Sequence, residues 1–111
     1  MHVKEHEESG IVVLKLKGDL LGGDDYQTFK DTLKKYISEG KKDFVIDLRK
    51  VTYINSSGIG MLVSGMTTVT NAEGTFKLAN VEQNIHNVFT ITNLISIFDV
   101  YETLEDALNA E

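Results

Sequence analysis

Two adjacent serines, Ser56 and Ser57, stand just before Gly58-Ile59-Gly60. A hydroxyl where a helix begins can serve as a nucleophile, a helix cap or an acceptor of phosphate. Nucleophilic catalysis needs a base within hydrogen-bond reach and a third group to orient that base. Only His2, His6 and His86 carry imidazole, and no Gly-x-Ser-x-Gly elbow surrounds the serine pair. His2 and His6 belong to a terminus prone to fray, and His86 reads as an ordinary helix residue. The inventory therefore argues against a serine hydrolase, and the chain reads as a binding protein rather than an enzyme.

Other chemistries fare no better. His2 and His6 would share one side of a strand with Glu8 beyond them, a spacing able to approach a divalent metal, but an exposed polar strand accounts for it as well. Cysteine is absent, which removes disulfides and thiolate metal sites and favours a reducing compartment. Gly58-Ile59-Gly60 lacks the third glycine of a dinucleotide fingerprint, and no Gly-Lys-Ser or Gly-Lys-Thr occurs, so no nucleotide or other cofactor is expected. Asn55-Ser56-Ser57 also matches a glycosylation sequon, an accidental match without a secretion signal. The formal net charge of −6 disfavours nucleic acid and anionic lipid as partners. Lys34-Lys35, Lys41-Lys42 and Arg49-Lys50 read as solvated helix ends and loops. With neither a signal-peptide run at Met1–Glu8 nor any segment long enough to cross a bilayer, a soluble cytoplasmic protein is expected.

The elements that must position the serines follow from periodicity. Val3 to Glu7 reads as a polar edge strand, Ser9-Gly10 as a turn, and Ile11–Lys17 as the first firm strand. Gly18-Asp19-Leu20-Leu21-Gly22-Gly23 breaks that pattern, and Asp24 or Asp25 can cap a helix carrying Tyr26, Phe29, Leu33, Tyr36 and Ile37, which ends at Gly40. Phe44–Leu48 reads as a central strand, Arg49 to Asn55 as a loop, and Ile59, Leu62, Val63, Met66 and Val69 as the stripe of a helix opening at Ser56 or Ser57. Glycines near that start point to close backbone approach. Thr75–Ala79 is the next strand, Val81 to Leu94 a helix, Ile97–Tyr101 a last strand, and Thr103 opens a final helix through a capping box with Asp106. The 111 residues are one domain's worth. Alternating strands and helices predict an α/β fold: a small mixed, largely parallel sheet of four to five strands covered by about four helices, with an antiparallel N-terminal edge pair.

The stretch Ile46-Asp47-Leu48, a short loop, then Asn55-Ser56-Ser57-Gly58-Ile59-Gly60 resembles the signature of the STAS domain, the anti-sigma-factor antagonist family. Gly18-Asp19-Leu20 resembles the family's Gly-acid-Leu after its early strand, and Leu94 to Leu108 its C-terminal strand and helix, so the likeness runs over most of the chain. The resemblance implies phosphorylation of Ser56 by a kinase that doubles as an anti-sigma factor, with a serine phosphatase to reverse it. It implies a partner surface made of Asp19, Leu21, Gly22, Asp24, Asn55, Ser56, Ser57, Gly58 and Ile59, on a protein that is a monomer or weak homodimer. Asn55 stands where the family carries aspartate, keeping an amide able to cap but losing a negative charge, and Leu21 stands where its phosphorylatable members carry a second acid. Two roles are thus expected: a phosphorylation-controlled antagonist, or an unmodified STAS scaffold subunit of a signalling or transport assembly. From the serines alone, a third and simpler role is that they cap the helix.

Overall fold

The computed structural model describes residues 1–91 and 96–110. Along them run β1 (His2–Glu8), β2 (Ile11–Leu20), α1 (Asp24–Ser38), β3 (Asp43–Ile54), α2 (Ser56–Asn71), β4 (Thr75–Ala79), α3 (Gln83–Ile91), β5 (Asp99–Tyr101) and α4 (Leu104–Asn109). The strands lie side by side in chain order, with β1 antiparallel to β2 and every later pair parallel. Parallel neighbours cannot be joined by a tight turn, so each gap needs a crossover, and α1, α2 and α3 supply them. The expected mixed α/β sheet with an antiparallel edge pair is the one that forms.

Side chains alternate between the two faces of a sheet. Val12, Leu14 and Leu16 of β2, Phe44, Ile46 and Leu48 of β3, and Leu78 of β4 face one way, into a core shared with Phe29, Leu33, Leu62, Val69 and Phe89 of the helices. Among the described residues the helix on the other face is α4, whose Ala107 packs with Val45 and Ala79. Lys77 is buried on that side, its Nζ donating to the Ala110 carbonyl at 2.9 Å.

Several boundaries differ from the sequence reading. β2 continues to Leu20, and β3 runs through the expected Arg49–Asn55 loop as far as Ile54. The two strands stay paired because β3 takes up extra residues between the pairs Lys15↔Asp47 and Lys17↔Lys50, and again between Gly18↔Val51 and Asp19↔Tyr53. Such bulges break the alternation by which a strand is recognised. Gly23, not Asp24 or Asp25, is the N-cap of α1; the two aspartates fill its first turn, where they complement the helix dipole. β5 starts at Asp99, leaving Phe98 to bury its ring against Phe89 at 5.4 Å between centroids. The expected extension of α3 to Leu94 lies outside the described residues. Thr103 caps α4 as expected, its Oγ1 accepting from Asp106 N at 3.0 Å.

β1 is polar except at Val3, which packs against the core, and its acids are tied down by α1 and the turn after it. Glu5 Oε1 accepts from Tyr36 Oη at 2.6 Å and from Lys35 Nζ at 3.2 Å, and Lys41 Nζ donates to Glu7 at 2.7 Å. The hydrogen bond to the Glu5 carboxylate pushes the Tyr36 phenol from 10.0 up to about 12, with burial adding to it. A phenol whose pKa is raised by folding stabilises the fold below its unfolded pKa, and that contribution is lost as pH climbs through the folded one. Tyr36→Phe should therefore make the loss of stability between pH 10 and about 12 shallower, measured as urea midpoints across that range. Tyr101, also raised by burial, remains in both proteins, so the difference isolates Tyr36.

Candidate functional site

β3 delivers the chain to Asn55, whose extended backbone (φ −107°, ψ −178°) turns directly into α2. Its Oδ1 accepts from Gly58 N at 2.8 Å and its carbonyl accepts from Ile59 N at 2.9 Å. Asn55 is thus the cap, a role worth about 1 kcal/mol. The capping amide expected of Asn55 is therefore the one used, and the simpler expectation that the serines do the capping is corrected. Ser56 and Ser57 are the first two helical residues, both exposed, and among the described residues neither hydroxyl has a hydrogen-bond partner. The unpaired N–H groups of a first helical turn and the positive end of its dipole lie at the same place.

The second wall comes from the end of β2. The Leu20 carbonyl accepts from Asn55 N at 3.2 Å, so the two backbones meet there. A Cβ on Gly58 would lie 2.0 Å from the Leu20 oxygen, and one on Gly22, at φ +78°, would lie 2.7 Å from the Ser57 Cβ. No side chain fits at either point, so the close approach expected from the glycines at the start of α2 holds for Gly58 and not for Gly60. Because Gly18, Asp19 and Leu20 belong to β2, the break expected from Gly18 to Gly23 shrinks to Leu21–Gly23.

Around this contact the predicted site residues fall into two layers. Asp19, Leu21, Asp24, Ser56 and Ser57 are exposed, with Leu21 at 49%. Gly22, Gly58 and Ile59 are buried and Asn55 is half-buried, so these four shape the surface from beneath. Asp19 Oδ1 accepts from Thr52 Oγ1 at 2.8 Å. Two aromatic residues missed by the sequence reading complete the surface: Tyr53, 53% exposed, and Tyr26, 37% exposed, whose Oη donates to Ser64 Oγ at 2.7 Å. Tyr26 had looked like part of the core stripe of α1. A shallow depression of about 530 Å³ lined by Gly22, Gly23, Tyr26, Gln27, Ser57 and Gly60 joins the two helix starts.

Gly60 differs from Gly58 in having open space where a Cβ would stand. Gly60→Ala should therefore stabilise the protein by roughly 0.5–1 kcal/mol, because alanine loses less backbone entropy in a helix. Thermal melts of the two proteins check this.

His6 Nε2 lies 3.0 Å from Glu8 Oε1, and no hydrogen bond joins a histidine ring to Ser56 or Ser57 among the described residues. Among those residues no cluster of three or more histidine or carboxylate side chains is placed to hold a metal, and no helix is long and apolar enough to cross a membrane.

Comparison with known proteins agrees with this geometry. The chain is 33% identical over 64 residues to the anti-sigma-B factor antagonist of Bacillus subtilis (strain 168), an overlap of 58% of this chain and 59% of that protein. It is 28% identical over 74 residues to a Thermotoga neapolitana relative, covering 67% of this chain and 66% of that one. The alignments thus span less than two thirds of either relative's length. The crystal structure of an anti-sigma factor antagonist from Mycobacterium paratuberculosis has the same fold, with a TM-score of 0.80 at 20% identity over 96% of this chain and 90% of that one. The model of the STAS domain family matches residues 2–107, and with that extent of agreement the chain belongs to the STAS domain family.

Proposed function

We propose that this chain is an anti-sigma-factor antagonist, a non-enzymatic cytoplasmic switch of one domain that captures an anti-sigma factor acting also as a serine kinase, and that phosphate on Ser56 ends the capture. The observation that carries this reading is the standing of Ser56: an exposed hydroxyl at the first helical position, relieved of capping by Asn55. A phosphate there meets free N–H groups and a positive dipole end, which favours it by roughly 0.3–1 kcal/mol. Its neighbour Asn55 is neutral, so the dianion does not sit beside a carboxylate. The protein's own fold keeps its shape while its outer surface gains about −1.5 to −2 charges.

In this reading the partner rests on Asp19, Leu21, Asp24, Ser56 and Ser57, while Gly22, Asn55, Gly58 and Ile59 fix the contour below. Tyr26 and Tyr53 add the rigid, amphipathic contact area typical of residues that dominate binding energy. A serine phosphatase would return the protein to its binding form.

Calorimetric titration with an anti-sigma factor from the same organism tests the reading, using unmodified and Ser56-phosphorylated protein. Binding by the first and not the second is the expected result; equal binding by both overturns it. Intact mass from native cells separates the scaffold alternative, in which only the unmodified mass appears.

A further inference from the structure

Of the chain's 11 lysines and arginines, Lys4, Lys15, Lys17, Arg49 and Lys50 line a single groove of about 770 Å³ on the α4 side of the sheet. That concentration runs against a net charge of −6. Strand register creates it, since Lys4 lies directly across from Lys15 and Lys17 directly across from Lys50. Like charges directly opposed in a sheet cost stability, so the arrangement is not one that folding favours. The first bulge of β3 sharpens it further. A regular strand sends consecutive side chains to opposite faces, yet Arg49 and Lys50 both line the groove, because β3 holds one more residue than β2 between the pairs that flank them.

These cations are not neutralised from within. Among the described residues the ion pairs join acids to Met1, His6, Lys35 and Lys41, none of them in the group of five. The one carboxylate in the groove, Asp47, is turned inward at 6% exposure, its Oδ1 accepting from Arg49 N at 3.0 Å and from Asn80 Nδ2 at 3.1 Å.

We infer that this groove is a second docking surface, on the side of the sheet away from α2, and that its occupant is a short acidic segment of a partner protein. The spread of the cations selects that chemistry. They sit on three adjacent strands, a width of about 10 Å, and four of the five are exposed without converging on one point, whereas a phosphate site gathers its donors around one anion. Nucleic acid is selected against by what lies next to the groove. Leu104 also lines an adjoining depression with Glu8 and Glu105, so a phosphate backbone running past the cations meets two carboxylates. A run of glutamates or aspartates ending at Leu104 avoids both.

Fluorescence anisotropy of the full chain with a fluorescein-labelled oligoglutamate peptide tests the inference. Wild type should bind, more weakly as salt is added. Arg49→Glu with Lys50→Glu should lose roughly tenfold or more in affinity, as removal of paired interfacial charges does. Arg49→Gln with Lys50→Gln should lose less, which guards against a folding defect, and both keep the Arg49 backbone bond to Asp47. Lys34→Glu with Lys42→Glu makes the same change in net charge away from the groove and should stay within about twofold of wild type; an equal loss there would mean that bulk charge alone is read and would overturn the inference. Absence of peptide binding, or tighter binding of tripolyphosphate or a single-stranded oligodeoxynucleotide, would also overturn it. Ser56→Asp should bind the peptide like wild type, and a loss in that variant would show that the groove is not a separate surface.

Discussion

Phosphoserine placed at position 56 should lower affinity for the proposed anti-sigma-factor partner by at least roughly a thousandfold while the melting temperature moves by no more than a few degrees. The two halves of that expectation have different sources. Inside the protein, the added dianion meets the N-terminal end of α2, where the interaction is favourable by at most about 1 kcal/mol. Across the interface, a partner carboxylate about 4 Å away at an effective dielectric of about 20 contributes roughly 4 kcal/mol for the first unit of charge, about a thousandfold, which is the lower bound for a group carrying about −1.5 to −2. Ser56→Asp carries one charge on a shorter arm and should reach roughly ten- to a hundredfold by the same arithmetic. Calorimetric affinities and thermal melts on the same samples give both numbers. A phosphorylated protein that binds as well as the unmodified one would remove phosphate as the control of binding. One that no longer melts cooperatively would show that residue 56 is structurally constrained after all.

Gly58→Ala should destabilise the protein by roughly 3 kcal/mol, a drop on the order of 10 °C in Tm. The new methyl would stand 2.0 Å from the Leu20 carbonyl oxygen, and neither side can retreat cheaply. Leu20 is held in register with Ile54, its oxygen accepts from Asn55 N, and Gly58 N is bound to the Asn55 side chain. Relief requires pulling α2 away from β2 and breaking the cap. The same substitution two positions later, Gly60→Ala, meets open space and carries the opposite sign. Urea denaturation of both variants is therefore an internal comparison, and equal midpoints would mean that α2 and β2 do not touch as described.

Much of this was legible in the residues because the relevant signals are local. Strand and helix periods gave the order of elements, Thr103 with Asp106 gave the last cap, and Thr75–Ala79 was bounded correctly because nothing interrupts it. The helix start beside Ser56 was legible for the same reason. What failed did so where a neighbouring strand decides the outcome. Arg49–Ile54 looked like a loop because bulges scramble its alternation, and only pairing with Lys17–Leu20 makes it a strand. The capping role went to Asn55 because backbone geometry, not residue type, chose among three adjacent capable side chains. Tyr26 follows helical spacing, yet its position in the first turn of α1 leaves it half out of the core with its hydroxyl on Ser64. Arg49-Lys50 looked like an ordinary solvated pair, since no sequence rule reports that a bulge turns both toward one groove.

The flanks of the sheet carry a consequence for crowding. One outermost strand is His-Val-Lys-Glu-His-Glu-Glu, charged or polar at all but one position, and the other is three residues long. Unpaired flanks are where sheets fuse into fibrils, and lysine-bearing or very short ones resist it. Among the described residues, a sheet bounded this way offers no long apolar ribbon to another copy of itself, which works against edge-to-edge polymerisation as the protein becomes concentrated.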